Sequence, residues 1–530
     1  MRARGSYGAG HRRGIWTVLS LCLLVGGGTE TICFAQVNAQ VNAPESLQKA
    51  IRAGQAGCVA VSVFRSTPDF PLLAQQDPVA VLLSGRRPAP VPIRFGAGLV
   101  IRISEDGKTA FVLTCAHLLE PLLTSPEDPA TVQAFVSFGA NQTARATLRA
   151  LDGRSDLAVL QVPVISSSTR PVRLGNAAHL SPGSTVLSLG DPRGIAEESR
   201  CAAGRGMVSR WQKNVLPMRP SGTGHQTDPL ATLGEWLRID ASVGRTLSGG
   251  TILNLQGECV GITTALPDVA APNFDMQYAI PGTPAIHRVI EDLLAGHEVE
   301  YGFLGVQPEA PLESPVLQTG RSSLTGRLPV DSADAAGAPS SIVPNAASAG
   351  VSVEQVSENS PASRAGLQPR DRILQINQTP IQQGMDLHRE VALLGAGTPA
   401  TLTVFRPETQ ERLELQVTLG KWPSSPTIPQ RSTIPRRPDW RGLRLDAATA
   451  GLHFNSDGFI AKIPHGVLIQ DVRPGSPAQA ADLKIGEFIA KVGEQPVETL
   501  DEFQQALEYW PGAVPVTLAD GREVMIADAR

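Results

Sequence analysis

The chain has 530 residues, more than one ordinary domain uses, and at roughly 150 residues per domain it holds three or four units. Its 46 basic and 50 acidic residues leave a net charge of −4, which gives no electrostatic basis for a nucleic-acid partner. Gly 51 and Pro 43 are abundant but irregularly placed, which excludes a collagen-like chain and predicts long loops.

Arg2, Arg4, Arg12 and Arg13 precede the apolar run Ile15–Val25, 11 residues long. That is short of the about 20 residues of a membrane-spanning helix. A basic start, a short apolar stretch and the small-residue site Cys33-Phe34-Ala35 read as a secretory signal over 1–35, cleaved before Gln36. Membrane attachment is expected only if this segment is retained as an anchor. Removal of the signal leaves Cys58, Cys115, Cys201 and Cys259. An exported chain could pair them, and their connectivity stays open; Cys201 and Cys259 fall on strands expected to flank one segment. With no Cys-x-x-Cys motif or Cys/His cluster, no metal site is expected.

From Val59 to about Pro281 the chain reads as short strands. Val59–Phe64 alternates, and Gly98–Ile103 and Ala110–Thr114 flank the turn Glu105-Asp106-Gly107-Lys108. Further strands are predicted at Val132–Phe138, Ala144–Ala150, Ala158–Val164, Thr185–Leu189, Gly206–Trp211, Trp236–Ile239, Thr251–Leu255 and Cys259–Thr263. Strand upon strand without helices predicts a barrel or sandwich. A helix follows, with Thr283 as cap, Pro284 in its first turn, an apolar stripe Ile286, Val289, Ile290, Leu293, Leu294, and Gly296 as its stop.

The C-terminal part repeats. Val351–Val356, Ser360–Leu367 and Asp371–Ile376 recur 116 positions later as Val467–Val472, Ser476–Leu483 and Glu487–Val492. Each copy predicts strand, turn, short helix, strand and a longer helix (Met385–Leu394; Leu500–Tyr509). Gln307–Ser348 and Lys421–Asp439 are rich in Pro, Ala, Ser or Arg and read as an insertion and a linker.

Neither a phosphate-binding Gly-rich loop, a His-Glu-x-x-His helix nor a Gly-x-Ser-x-Gly elbow is present. What remains is His117 just after an apolar strand, Asp156 at the start of another, and Ser248 in Ser248-Gly249-Gly250 before a third. A serine becomes a nucleophile when an imidazole takes its proton, and the imidazole needs a carboxylate to fix its tautomer. The order His, Asp, Ser is that of the chymotrypsin arrangement.

These motifs resemble the HtrA/DegP-like serine proteases. Phe95–Val100 is similar to the family's Gly-Ser-Gly-Val strand, Leu113–His117 to Leu-Thr-Asn-x-His, and Asp152–Val159 to Asp-x-x-x-Asp-Leu-Ala-Val, which assigns the acid to Asp156 over Asp152. Leu174-Gly175-Asn176, Ser188–Gly194, Gln277–Pro281 and Tyr301–Val306 match further family stretches, and Asp240 precedes Ser248 at the family spacing. The resemblance implies a mainly β, chymotrypsin-like double β-barrel protease domain over 36–300 and two α+β PDZ domains. The first spans 301–420 with an insertion at 307–348; the second spans 440–530 after the linker 421–439. It implies an ATP-independent, periplasmic serine endopeptidase without cofactor, acting on unfolded or misfolded polypeptides, and a homo-oligomer of trimers or their multiples. Peptide C-termini would bind Gly302, Phe303, Leu304, Gly305 and Val306, and in the second copy Gly442, Leu443, Arg444 and Leu445.

The chain departs from the family before its serine, where Gly244-Arg245-Thr246-Leu247 replaces Asn-Pro-Gly-Asn. The backbone N–H groups of Thr246 and Ser248 would form the oxyanion hole, and β-branched Thr246 tolerates positive φ badly. The alternative expectation is therefore a catalytically impaired relative serving as a PDZ peptide-binding or chaperone-like scaffold.

Overall fold

The computed structural model describes residues 45–65, 91–124, 132–140, 142–198, 201–213, 235–241, 248–265, 277–309, 350–425, 428–437, 439–455 and 458–528. The expected signal at 1–35 lies outside them, as does nearly all of the insertion at 307–348.

Strands β1 (Cys58–Arg65), β2 (Arg94–Ile103), β3 (Thr109–Cys115), β4 (Val132–Ser137), β5 (Thr143–Asp152) and β6 (Leu157–Pro163) pair antiparallel in the order β5-β4-β1-β2-β3-β6. Pairing of β5 with β6 closes the barrel. Alternation decides which side chains enter: Val59, Val61 and Val63 of β1 meet Val100, Val112 and Leu160 inside. A second closed barrel follows, made of β7 (Thr185–Gly190), β8 (Ala202–Lys213), β9 (Glu235–Ala241), β10 (Thr251–Leu253), β11 (Cys259–Thr264) and β12 (Gln277–Pro281). Val186, Val208, Leu237, Ile239, Ile252 and Val260 fill it. A separate layer, including Leu99, Leu113, Leu157, Leu189, Leu253 and Ile262, joins the outer faces of both barrels. Its burial fixes the seam on which the candidate catalytic groups sit.

The helix Pro284–Ala295 starts where expected: Thr283 Oγ1 accepts the Ile286 N–H, and Gly296 ends it at φ 83°. Arg149 of β5 donates to the terminal carbonyls of Leu294 and Ala295 at 3.2 and 2.9 Å, which ties the helix to the first barrel. A helix at Glu45–Gln55 was not anticipated. Its apolar stripe is only Leu47, Ala50 and Ile51, and its burial is supplied by tertiary contact: Gly54 packs against Leu189 and Leu253.

Each repeat forms a small sheet with two helices. The first contains β13 (Gly302–Phe303), β14 (Val306–Pro308), β15 (Val351–Val356), β16 (Arg372–Ile376), β17 (Thr379–Pro380), β18 (Pro399–Arg406), β19 (Glu411–Thr418) and β20 (Gly420–Lys421), with sheet order β14-β15-β16-β18-β19. Gln307 and Pro308, read as insertion, continue β14 opposite Gln355 and Val353. The segment read as a linker also does more than connect: Trp422 is buried, and β21 (Gln430–Ser432) pairs with β5 of the first barrel. The second repeat contains β22 (Leu443–Ala447), β23 (Val467–Val472), β24 (Phe488–Val492), β25 (Gln495–Pro496), β26 (Val514–Leu518) and β27 (Glu523–Ile526). The repeated Ser-Pro-Ala marks the same device twice. Ser360 and Ser476 cap the short helices Pro361–Arg364 and Pro477–Ala480, accepting the N–H of Ser363 and Gln479.

Candidate active site

Three chain turns meet at the seam between the barrels. β3 ends at Cys115, and the one-turn helix Ala116–Leu119 brings His117 over the seam. The β5–β6 turn presents Asp156 in the left-handed region, φ 56°, a conformation that Asp tolerates better than most residues. Ser248 precedes β10 and is buried. Its backbone is pinned on both sides, because Ala97 N–H donates to Ser248 O at 2.9 Å and Gly249 N–H to Thr263 O at 2.8 Å.

His117 stands between the other two. Its Nδ1 lies 3.0 and 2.9 Å from the Asp156 carboxylate oxygens, and its Nε2 lies 3.0 Å from Ser248 Oγ. An ionised carboxylate only accepts, so the proton sits on Nδ1 and Nε2 is left to accept the serine O–H. Asp156 is itself fixed by the His117 backbone N–H at 2.9 Å and by Thr264 Oγ1 at 2.9 Å. Ser248 Oγ also accepts from Ala265 N–H at 3.2 Å. Thr264 was missed in the sequence; it belongs to the last residues of β11, 108 positions from its partner, and no local motif marks it. We expect Thr264→Val to remove a hydrogen bond to a charged group, about 1.5–3 kcal/mol. Steady-state kinetics should then show kcat falling by about 10- to 100-fold, with KM little changed.

Asp152, the rejected alternative acid, does not touch His117. It is wholly buried and accepts from the backbone N–H and the hydroxyl of Ser155, from Tyr301 OH and from Gln430 Nε2. Burial, with the Asp152 carboxylate beside it, holds the Tyr301 phenol well above its ordinary pKa. Arg154 covers the Tyr301 ring and donates to Pro423 O at 2.9 Å. The turn carrying Asp156 is thus braced by residues that follow the protease barrels.

Gly249 is a further requirement. It adopts φ 84°, and a Cβ there would lie 1.9 Å from Ala97 O and 2.7 Å from Thr114 Oγ1. Gly249→Ala must displace the neighbouring Ser248, and a displacement of about 1 Å costs about 10²-fold in rate. We expect a loss of at least that size in peptide hydrolysis by a variant whose circular dichroism is unchanged. Gly244–Leu247, with Thr246, lie outside the described residues.

Cys115, His117 and Asp156 offer ligand atoms within 4.8 Å of one another. The thiol is buried and donates to Thr263 O at 3.3 Å, and burial, followed by the Asp156 charge, pushes its pKa well up. Metal binding needs the thiolate, so we assign no metal there. Cys58, Cys115, Cys201 and Cys259 are all free and buried, and no bridge joins Cys201 to Cys259. Burial raises Cys259 to about 12. Titration of the unreduced, unfolded mature protein should therefore find these four thiols, and alkylation of the native protein should be slow.

In the first repeat Gly305 takes φ 83°, where a Cβ would meet Ser360 at 2.3 Å; in the second Gly442 takes φ 86°, where a Cβ would meet Ser476 at 2.1 Å. Ser357 N–H donates to Gly305 O, and Arg473 N–H to Gly442 O. Gly442 is therefore the structural counterpart of Gly305. Trp440 and Arg441 occupy the places of Phe303 and Leu304, whereas Arg444 and Leu445 lie within the strand β22.

A trypsin-like peptidase domain matches residues 96–262, and PDZ domains match 303–418 and 431–519. With the two closed barrels and the His117–Asp156–Ser248 contacts, these define a trypsin-like serine protease carrying two PDZ domains. The chain is similar to a probable periplasmic serine endoprotease DegP-like of Brucella suis biovar 1 (strain 1330), 28% identical over 416 residues, 78% of this chain and 68% of the relative. It is also similar to a probable periplasmic serine protease do/HhoA-like of Haemophilus influenzae, 25% identical over 426 residues, 80% and 76% of the two chains. Among solved structures, an HtrA-type protease AlgW with decapeptide superposes with a TM-score of 0.44 at 21% identity, covering 72% of this chain and 100% of that one. The chain is a serine endoprotease with a trypsin-like peptidase domain followed by two PDZ domains, similar to the DegP-like serine endoproteases.

Proposed function

We propose that His117 is the general base and then acid, Asp156 its orienting carboxylate and Ser248 the nucleophile. The observation that carries this is the imidazole placed within 3.0 Å of both partners. Ser248 attacks the scissile carbonyl as Nε2 takes its proton. The imidazolium beside Asp156 then returns the proton to the leaving amine. The N–H groups of Ser248 and Thr246 are proposed to receive the oxyanion. If Thr246 impairs that hole, Thr246→Gly should raise kcat by up to about 10²-fold; equal rates would assign no defect to Thr246.

Two PDZ domains beside the protease favour polypeptide substrates, with Gly302–Val306 and the loop around Gly442 taking peptide C-termini. Unfolded or misfolded proteins are the substrate class we propose. The relatives' periplasmic names and the leader-like start support export to the periplasm. No described helix is long and apolar enough to cross a membrane. A homo-oligomer, trimeric or a multiple of trimers, is proposed from the family resemblance. Digestion of unfolded casein by the purified mature chain, absent from its Ser248→Ala form, tests the enzymatic reading; no digestion by either would overturn it.

A further inference from the structure

The peptide pocket of the first PDZ domain is not empty. Its walls are Phe303, Leu304, Gly305 and Val306 on one side and Leu387, His388 and Val391 of the helix Gly384–Leu394 on the other. Into it project Phe454, Phe459 and Ile460, which belong to the loop between β22 and β23 of the second PDZ domain. They are 8%, 6% and 6% exposed, and Phe454 packs on Trp422 with ring centroids 5.3 Å apart. The void that remains is about 20 Å³, room for about one water and for no side chain.

The loop is held by its backbone as well. Glu358 N–H donates to Ala461 O at 2.8 Å, and Ile463 N–H returns a bond to Glu358 O at 3.0 Å. Asn359 Nδ2 donates to Ile463 O at 2.9 Å, and Lys462 pairs with Glu358. Strand β14 lies at one end of its sheet, so the segment fills the apolar pocket beside a sheet edge. Its backbone bonds go to Glu358 and Asn359, beyond the end of β15, so it occupies the pocket with its side chains and adds no strand to β14.

We propose that residues 454–455 and 458–463 of the second PDZ domain are an internal ligand of the first, and that external peptides with an aromatic C-terminal residue bind there by displacing it. The proposal rests on the peptide-binding reading of Gly302–Val306. The chemistry of the occupant defines the partner. Two phenylalanines and an isoleucine desolvate an apolar pocket, so an aromatic side chain is the group that competes for it. A closed pocket weakens apparent affinity in proportion to its open fraction.

The test uses the full mature chain carrying Ser248→Ala, so that the probe is not cut. A fluorescein-labelled peptide ending in phenylalanine with a free carboxylate is titrated by anisotropy. The variant Phe454→Ser/Phe459→Ser/Ile460→Ser should bind it about 10-fold or more tighter than the parent, which corresponds to an open fraction of about one tenth or less. Adding His388→Glu, which places a like charge in the groove, should remove that gain. Amide hydrogen exchange on the parent needs no change to the pocket: saturating peptide should speed exchange at Glu358 and Ile463, the two N–H groups that hold the loop. Equal affinity of parent and variant, with exchange unchanged at those amides, overturns internal occupancy while leaving the peptide groove intact. A folded triple variant that binds no peptide overturns the groove reading itself, and the proposal with it.

Discussion

Ser248→Ala should abolish proteolysis, with kcat falling by about 10⁶-fold, and leave the fold intact. The hydroxyl makes two contacts, to His117 Nε2 and from Ala265 N–H, and neither holds the barrels together. What fixes the backbone at Ser248 is its carbonyl, bonded by Ala97 N–H, and the neighbouring Gly249 N–H, bonded to Thr263 O; both survive truncation of the side chain. Stability should therefore change little, and the loss is chemical. Triad members act as a unit, so removal of the nucleophile forfeits nearly everything the three supply. His117→Ala should cost nearly as much by itself, and the double variant should be no slower than Ser248→Ala. Multiplicative losses in the double variant would mean that the two residues act independently, and a Ser248→Ala enzyme retaining more than about 1% activity would remove Ser248 from the nucleophile's role. Rates are to be read on an unfolded substrate with equal unfolding midpoints as the control.

The parts of this site legible in the sequence are those with a local signature. His117 and Asp156 sit at junctions where an apolar strand stops or starts, and Ser248 is followed by two glycines, one of which the geometry requires at φ 84°. The repeat was legible because both copies must cap the same short helix with Ser-Pro. Thr264, Tyr301 and Gln430 were not legible as site residues. Each reaches its carboxylate across more than 100 positions, and a hydroxyl or amide at a strand end carries no mark of its partner. The packing of Phe454 and Phe459 was hidden for a different reason. Aromatic residues in a loop read as core of their own domain, and only the docking of two repeats shows which pocket they fill. The Pro-rich segment misled in the same way, since composition speaks to local order and β21 owes its order to the edge of β5.

Lys421→Met should destabilise the PDZ pair by about 3–5 kcal/mol, the cost of leaving buried charge uncompensated. The ammonium is 5% exposed. It donates to both Asp446 oxygens at 3.0 and 2.8 Å, with Glu298 at 3.2 Å and Glu300 at 3.6 Å. Burial alone would lower its pKa; the charges of Glu298, Asp446 and Glu300 outweigh burial and hold it above the ordinary lysine range. A folded pKa above the unfolded value means that the stabilisation is fully present below about pH 10.4 and is lost only as pH rises through the folded value. The wild-type midpoint in urea should therefore show no Lys421 contribution to its pH dependence between pH 7 and 9. The variant should be displaced downward by a constant amount across that window. Asp446→Asn in the Lys421→Met background should recover part of the loss, because it removes one of the charges left facing the gap; additive losses would mean that the two do not interact. The same pair also anchors the internal ligand. Asp446 Oδ1, held by the Lys421 ammonium, accepts the Ala447 N–H at 2.7 Å, at the end of the strand from which the loop carrying Phe454 departs. Lys421→Met should therefore also tighten binding of the phenylalanine-ending peptide to the first PDZ domain, in a variant whose pocket residues are untouched. Unchanged peptide affinity despite lost stability would separate the ion cluster from the occupancy of the groove.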